Sequence, residues 1–364
     1  MILNIVDRKH LVLRAIMINI CFATDENYLK YMSTAMVSIL ETADKNDELH
    51  FYILCNNISD NSKNNIKLLK RFKDFEVTFI DLDIEEFSKF PSGGSHISNT
   101  TYFRYKIAEL CPNISKILYI DCDVIVKSSL KDLFEVDLTG YYLGGVEDVG
   151  YYYWRTVNDD FYLYKEGFYI NAGVLLINLD EWRKNQLFKK LVDYTTNNSE
   201  LVKIGDQDVI NKVCTGKIKQ LDYKWNVQDS FYREKPEREF NPNCNCIIEA
   251  SQNPAIIHYT CVKKPWNDYT MSRATDWYMD YVLLLTKDEN LEIEKAKIGM
   301  LRALTASLEK VNNVNKKVNN VNKMEKFTIK KFLRLMFSVV NCKKHKVLTI
   351  LGIKIKFRRK NVKR

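Results

Sequence analysis

The sequence predicts an α/β domain built on a mostly parallel sheet, followed by a basic tail of different character. Two observations predict the domain. Apolar runs of strand length alternate with amphipathic stretches of helix length through the first half, the pattern of βαβ units. One of these runs leads directly into a cluster of acids, and in parallel sheets ligands gather beyond the carboxyl ends of the strands. A third observation, a sharp change of charge, predicts the tail.

The elements follow in order. MINICFA (17–23) reads as a buried strand ending at a polar cluster, and 28–42 as the helix after it. ELHFYILC (48–55) is a second strand, 58–72 a second helix and FEVTFIDLD (75–83) a third strand. TYFRYKIAEL (101–110) reads as a helix stopped by Pro112. KILYIDCDVIV (116–126) is a strongly apolar strand. YYLGGVED (141–148), FYINAGVLLINL (168–179) and PAIIHYT (254–260) are further strands, and IGDQDVINKV (204–213) opens a helix with acids in its first turn.

The 364 residues suffice for one large domain with appendages, or for two, and a 46% hydrophobic content supplies a core. Nine cysteines lack any CxxC spacing; their odd number and irregular placement read as free thiols in a reducing compartment. No apolar run reaches the ~20 residues that span a bilayer. Residues 1–16 carry charges inside a short apolar stretch and lack a small-residue cleavage site, so they read as an extension, with Met17 an alternative start.

The net charge of +9 conceals a division. Residues 310–364 hold 18 Lys and Arg against one acid, Glu325, which leaves residues 1–309 at −8. Such a tail expects an anionic surface. Its interspersed Phe, Leu, Ile and Val favour a membrane, and nucleic acid is not expected. FTIKKFLRLMFSVV (327–340) is the best amphipathic helical candidate. Before it, KVNNVNK (310–316) repeats unchanged at 317–323, which fits a short coiled spacer or a linker.

The chemistry begins at Asp121-Cys122-Asp123. Of three D-x-D triplets, this one directly follows the apolar run ILYI. Two carboxylates two residues apart in extended chain face one side, where they can hold a hard divalent cation and leave room for phosphate oxygens. A solvated strand end is the plain alternative. His258 also lies near a strand end, six residues before Lys264-Pro265-Trp266, where a cation could meet a diphosphate.

Taken in order, FATDENY (22–28), TYFRYKIAEL, DCD, YINAGVLLINLDEW (169–182), GDQDVIN (205–211) and His258 with Lys264-Pro265-Trp266 resemble retaining glycosyltransferases of family 8. That family contains bacterial lipopolysaccharide galactosyl- and glucosyltransferases and glycogenin. The resemblance covers about residues 17–270; Cys261 stands where the family has glycine.

The resemblance implies a single Rossmann-like nucleotide-sugar-binding domain of GT-A type, taken as 17–286; it does not reach the tail, whose own residues over 287–364 read as helical and membrane-associating. It implies a hexosyltransferase using a UDP-hexose donor and a saccharide or glycolipid acceptor of lipopolysaccharide core, at the cytoplasmic face of the inner membrane. Asp121, Asp123 and His258 would hold Mn²⁺ or Mg²⁺. Ala23, Thr24, Asp25, Asn27 and Tyr28 would meet the nucleoside, and Arg104, Cys261 and Lys264 the diphosphate. Asp148, Asn171 and Asp206 would bind sugar hydroxyls, with Gln207 near the anomeric carbon. By residues alone, Asp25 or Thr24 could equally cap a helix, and Asp206 could stabilise a helix N-terminus. A sugar nucleotidyltransferase, or a degenerate nucleotide-sugar module with a membrane-binding tail, are the alternatives.

Overall fold

The computed structural model describes residues 16–91, 99–151, 169–232, 243–260, 264–267, 273–286, 337–342, 345–350 and 353–358. Expectations resting on residues 1–15, on Cys261 and on the 310–323 repeat lie outside these. The chain divides into two compact units, Met1–Ile298 and Gly299–Arg364.

In the first unit the strands are β1 (Met17–Asp25), β2 (Glu48–Asn56), β3 (Glu76–Asp81), β4 (Lys116–Ile120), β5 (Val124–Val126), β6 (Leu143–Glu147), β7 (Ile170–Asn178), β8 (Ile218–Gln220), β9 (Val227–Gln228) and β10 (Ile256–His258). Seven form one sheet in the order β3-β2-β1-β4-β7-β6-β8. Its first four strands run parallel, β7 runs antiparallel to β4 and β6, and β8 is parallel to β6. β5, β10 and β9 make a second, small sheet.

Alternation along the strands fills both faces of the large sheet. Leu118, Ile120, Val174 and Leu176 join one buried cluster, while Ile117, Tyr119, Leu175 and Ile177 join the other. A sheet covered on both sides needs such near-continuous apolar strands, which is why ILYI and GVLLI lie where they do. Helix starts follow local chemistry: the Ser59 hydroxyl accepts from the Ser62 N–H at 3.2 Å, and Asn178 Oδ1 from the Glu181 N–H at 3.1 Å.

Three expectations are corrected. The run 116–126 is not one strand. The chain bends at Asp121-Cys122-Asp123 and passes from the large sheet to the small one; the triplet's carboxylates therefore converge through a bend rather than by extended alternation. The expected helix 101–110 is a 3₁₀ helix over Asn99–Lys106 followed by one α-turn, Ile107–Leu110. In the second unit, β11 (Phe337–Cys342), β12 (His345–Ile350) and β13 (Ile353–Arg358) form an antiparallel sheet, where a helical tail was expected. IKIKFR alternates with period two, the signature of a strand; the helical candidate over 327–336 lies outside the described residues. Among the described residues no helix is long and apolar enough to cross a membrane.

Candidate active site

The site lies where the two sheets of the first unit meet. β4 ends at Ile120, opposite Val174, and the Asp121 N–H continues the ladder to the Gly173 carbonyl at 2.8 Å. β10 runs antiparallel to β5, which sets His258 opposite Val124, and the Tyr259 N–H donates to the Asp123 carbonyl at 2.9 Å. Backbone pairing thus delivers both aspartates and the histidine to one point. Their ligand atoms all lie within 4.8 Å of one another. His258 Nε2 is 3.2 Å from Asp123 Oδ1 and 3.8 Å from Asp121 Oδ2.

Each carboxylate divides its oxygens between the protein and this point. Asp121 Oδ1 accepts from Tyr119 Oη at 2.8 Å and from Arg104 Nη2 at 3.1 Å, leaving Oδ2 toward His258. Asp123 Oδ2 accepts from Lys264 Nζ at 2.6 Å, leaving Oδ1 toward His258. Lys264 also donates to the Tyr259 carbonyl at 2.5 Å, and two residues on Trp266 stacks on Tyr31 with ring centroids 3.7 Å apart. The Lys-Pro-Trp turn is thereby anchored to the first helix, Leu29–Thr42.

Gly173 keeps the centre open. A β-carbon there would fall 2.0 Å from His258 Cε1 and 2.8 Å from Asp121 Oδ2. Two carboxylates and one imidazole, with a volume between them that even a methyl group would fill, fit Mn²⁺ or Mg²⁺ by donor type. Burial alone would raise the Asp123 carboxyl; Lys264 and His258 overcome it and hold it well below the usual carboxylate range. Asp123 is therefore a carboxylate at any physiological pH. Lys264 is shifted the other way: burial favours its neutral form, yet Asp123 prevails and raises it.

Arg104 is 3% exposed, with all three nitrogens occupied. Nε donates to the Thr101 carbonyl at 2.9 Å and lies 2.9 Å from Asp206 Oδ2, Nη1 donates to the Ala172 carbonyl at 2.5 Å, and Nη2 reaches Asp121. The guanidinium lies over the Tyr119 ring at 4.2 Å. Arg104 thus ties Asp121 to Asp206 as a fixed brace. Asp206 Oδ1 accepts from the Thr101 hydroxyl at 2.5 Å, while Oδ2 completes no well-aligned hydrogen bond. Burial pushes the Asp206 carboxyl up to about 6 against the pull of Arg104.

A second set of polar side chains lies on β6, β7 and the helix Asp206–Val213. Gly205, at φ 56°, makes the turn into this helix, a left-handed conformation that favours glycine. Gln207 Oε1 accepts from the Ala172 N–H at 3.0 Å and from Asn171 Nδ2 at 3.2 Å. Its Nε2 donates to Asp148 Oδ2 at 3.2 Å and to Tyr169 Oη at 3.1 Å. Asn171 Nδ2 donates to Asp148 Oδ2 at 3.1 Å, and Asn171 Oδ1 accepts from the Gly173 N–H at 3.0 Å.

The β1 end is simpler. The Tyr28 N–H donates to Asp25 Oδ1 at 3.0 Å, so Asp25 closes the turn into the first helix. Thr24 is buried with its hydroxyl on the Asp25 carbonyl at 3.2 Å, Asn27 is exposed, and Cys122 Sγ donates to the Ala23 carbonyl at 3.3 Å. Tyr28 is half-buried, edge-on to Trp266 at 6.3 Å between centroids. The structure so brings Asp121, Asp123, His258, Lys264 and Arg104 into one polar network with Asp148, Asn171, Asp206 and Gln207.

Residues 19–270 match the model of glycosyl transferase family 8. The chain belongs to glycosyltransferase family 8. A Haemophilus influenzae protein is 33% identical over 254 residues, covering 68% of this chain and 73% of its own. An Escherichia coli lipopolysaccharide 1,2-glucosyltransferase is 27% identical over 287 residues, 76% of this chain and 81% of that one. A crystal structure of the galactosyltransferase LgtC in complex with donor and acceptor sugar analogs superposes with a TM-score of 0.67 at 30% identity, over 76% of this chain and all of that one. Membership selects the transferase reading over the nucleotidyltransferase alternative. The mostly parallel sheet is the GT-A arrangement of such neighbours, and Asp121, Asp123 and His258 form a D-x-D-like group that could hold a metal ion.

Sequence reasoning missed Gly173, Asn226, Thr101 and Tyr169. Gly173 is legible only as the glycine that closes the NAG triplet inside an apolar run. Thr101 and Tyr169 carry no pattern of their own; only the fold brings them to the site.

Proposed function

We propose that this glycosyltransferase moves galactose or glucose from a UDP-sugar to a saccharide acceptor, with retention at the anomeric carbon. The observation that carries this reading is the convergence of Asp121, Asp123 and His258 on one point beside Lys264, with Gly173 leaving the volume between them free. Mn²⁺ or Mg²⁺ held there would neutralise the charge that develops on the leaving diphosphate.

Every other part falls to the chain's own residues. Lys264 adds a cation beside the ligands, where negative charge develops. Ala23, Thr24, Asp25, Asn27 and Tyr28, at the end of β1, receive the nucleoside, with Cys261 near the phosphates. Asp148, Asn171 and Asp206 receive sugar hydroxyls. Arg104 serves the diphosphate indirectly, by fixing Asp121 and Asp206.

Gln207 decides between two routes. Retention through a protein nucleophile needs a group free to attack. Gln207 Oε1 already accepts from two donors, and an amide oxygen has two lone pairs. This supports a front-face route, in which the bond to the diphosphate oxygen breaks as the acceptor oxygen bonds to the same face of the sugar. The acceptor hydroxyl proton passes to the departing phosphate oxygen. Gln207 orients Asn171 and Asp148 around the sugar.

The acceptor is a saccharide of lipopolysaccharide or lipooligosaccharide core, a reading supported by the relative that is a lipopolysaccharide glucosyltransferase. Residues 17–286 form the catalytic domain. Residues 287–364 hold the enzyme to the anionic cytoplasmic face of the inner membrane through their 18 basic residues in 310–364, each worth about 1 kcal/mol near such a surface. The test is UDP release from UDP-galactose, UDP-glucose and UDP-N-acetylhexosamines, with Mn²⁺ and with EDTA. Metal-dependent release from a UDP-hexose is expected; no release and no UDP binding would refute the transferase reading.

A further inference from the structure

The proposed metal ligand His258 shares a buried side chain with the sugar-side network. Asn226 is fully buried at the end of a 3₁₀ turn, Tyr223–Asn226, immediately before β9. Its Oδ1 lies 3.0 Å from His258 Nδ1, and its Nδ2 lies 2.9 Å from Asn171 Oδ1. β9 runs parallel to β10, with Gln228 beside His258, so the ladder fixes how far Asn226 stands from the imidazole.

The direction of these hydrogen bonds is determined by a group that cannot rotate. The Gly173 N–H is a backbone donor on Asn171 Oδ1 at 3.0 Å, so that atom is the amide oxygen. Asn226 must then present its NH₂ to Asn171 and its carbonyl to His258. A carbonyl accepts only, so His258 Nδ1 carries a proton, and its Nε2 lone pair points at Asp121 and Asp123. The Ala172 N–H on Gln207 Oε1 fixes the other end of the network in the same way. Two adjacent backbone amides on β7 thus determine the orientation of three side-chain amides and, through Asn226, which histidine nitrogen is free to bind metal.

We propose that Asn226 is a positioning residue that fixes the tautomer and ring orientation of His258 for metal, and couples that ligand to Asn171. This rests on the metal site proposed above. Partners on the second nitrogen of a metal-binding histidine commonly contribute 10–100-fold to metal affinity. Asn226→Leu removes both arms. Asn226→Asp keeps an acceptor on Nδ1 but turns a second acceptor toward Asn171 Oδ1, so it separates the arms.

The experiment is Mn²⁺ binding to the full chain without donor, by electron paramagnetic resonance of free Mn²⁺, alongside UDP-sugar affinity and thermal unfolding. N226L is expected to lose about 10–100-fold in Mn²⁺ affinity. N226D is expected to hold Mn²⁺ within about threefold of wild type while its UDP-sugar affinity falls, a split that general loosening does not produce. If N226L does not fold, the N226D split alone decides. Wild type that binds no Mn²⁺ overturns the metal site itself. Wild type that binds it while N226L binds equally well, or N226D losing both affinities in parallel, overturns the role of Asn226.

Discussion

Gly173→Ala puts the smallest possible side chain into the volume between the proposed ligands. The added carbon would meet His258 Cε1 at 2.0 Å, Nδ1 at 2.7 Å and Asp121 Oδ2 at 2.8 Å. Carbon atoms in contact stay about 3.5 Å apart, so the imidazole must retreat by more than about 1 Å. It has little room to do so: His258 is 4% exposed, and its backbone pairs with β5 on one side and β9 on the other. Retreat also stretches the hydrogen bond to Asn226 and carries Nε2 away from Asp123. Overpacking of this kind costs about 1–3 kcal/mol of stability, and Mn²⁺ affinity should fall at least about tenfold. Mn²⁺ titration and urea unfolding measure both. The double variant Gly173→Ala/His258→Ala removes the clashing ring, so it should be more stable than the sum of the single changes by about 1 kcal/mol or more. G173A protein that binds Mn²⁺ with wild-type affinity, or a strictly additive cycle, refutes the reasoning.

Two further outcomes follow from the same geometry. Gln207→Ala removes an amide with four partners and should lower turnover about 10–100-fold, the equivalent of about 1–3 kcal/mol, without abolishing it; a covalent sugar adduct on Gln207 in wild type, seen by mass spectrometry, would contradict the front-face route. The Asp206 carboxyl is raised to about 6, so the folded state holds a proton there that the unfolded state has released. This contribution is fully present below the unfolded value, near 3.9, and is lost as pH rises through 6. Wild type minus Asp206→Asn stability should therefore fall by about 1.4 kcal/mol between pH 5 and pH 7.5, measured by urea unfolding at each pH; a constant difference would contradict the burial argument.

Much of the fold was legible because its strands are buried on both faces and so read as continuous apolar runs. ILYI and GVLLI read as buried strands for that reason, whereas the caps at Ser59 and Asn178 emerged only with the structure. The bend at Asp121–Asp123 was not legible, since VIV continues the apolar run without punctuation; only pairing with β10 draws it into a second sheet. The three strands between Phe337 and Arg358 were misread because their alternation, clearest in IKIKFR, comes after a stretch of helical spacing in the sequence and was absorbed into it. Within the site, residues that carry chemistry by type were identified from motifs. Arg104 was identified from its motif, but its partners were not legible: a sequence shows a cation, whereas only the fold shows that Thr101, Ala172, Asp121 and Asp206 meet its nitrogens. Gly173 and Asn226 matter through the space one leaves and the direction the other imposes, neither of which is a property of residue type alone.

The central claim is that Asp121, Asp123 and His258 form a metal centre on which transfer depends. Its most direct test is turnover of chelator-treated wild-type protein and of Asp123→Ala as Mn²⁺ is added back, with the UDP-hexose donor and a saccharide acceptor. Wild type should regain activity in a saturable manner and release UDP, while Asp123→Ala should stay lower by several orders of magnitude at every Mn²⁺ concentration. Full wild-type turnover in EDTA, or an Asp123→Ala enzyme that responds to Mn²⁺ as wild type does, would contradict it.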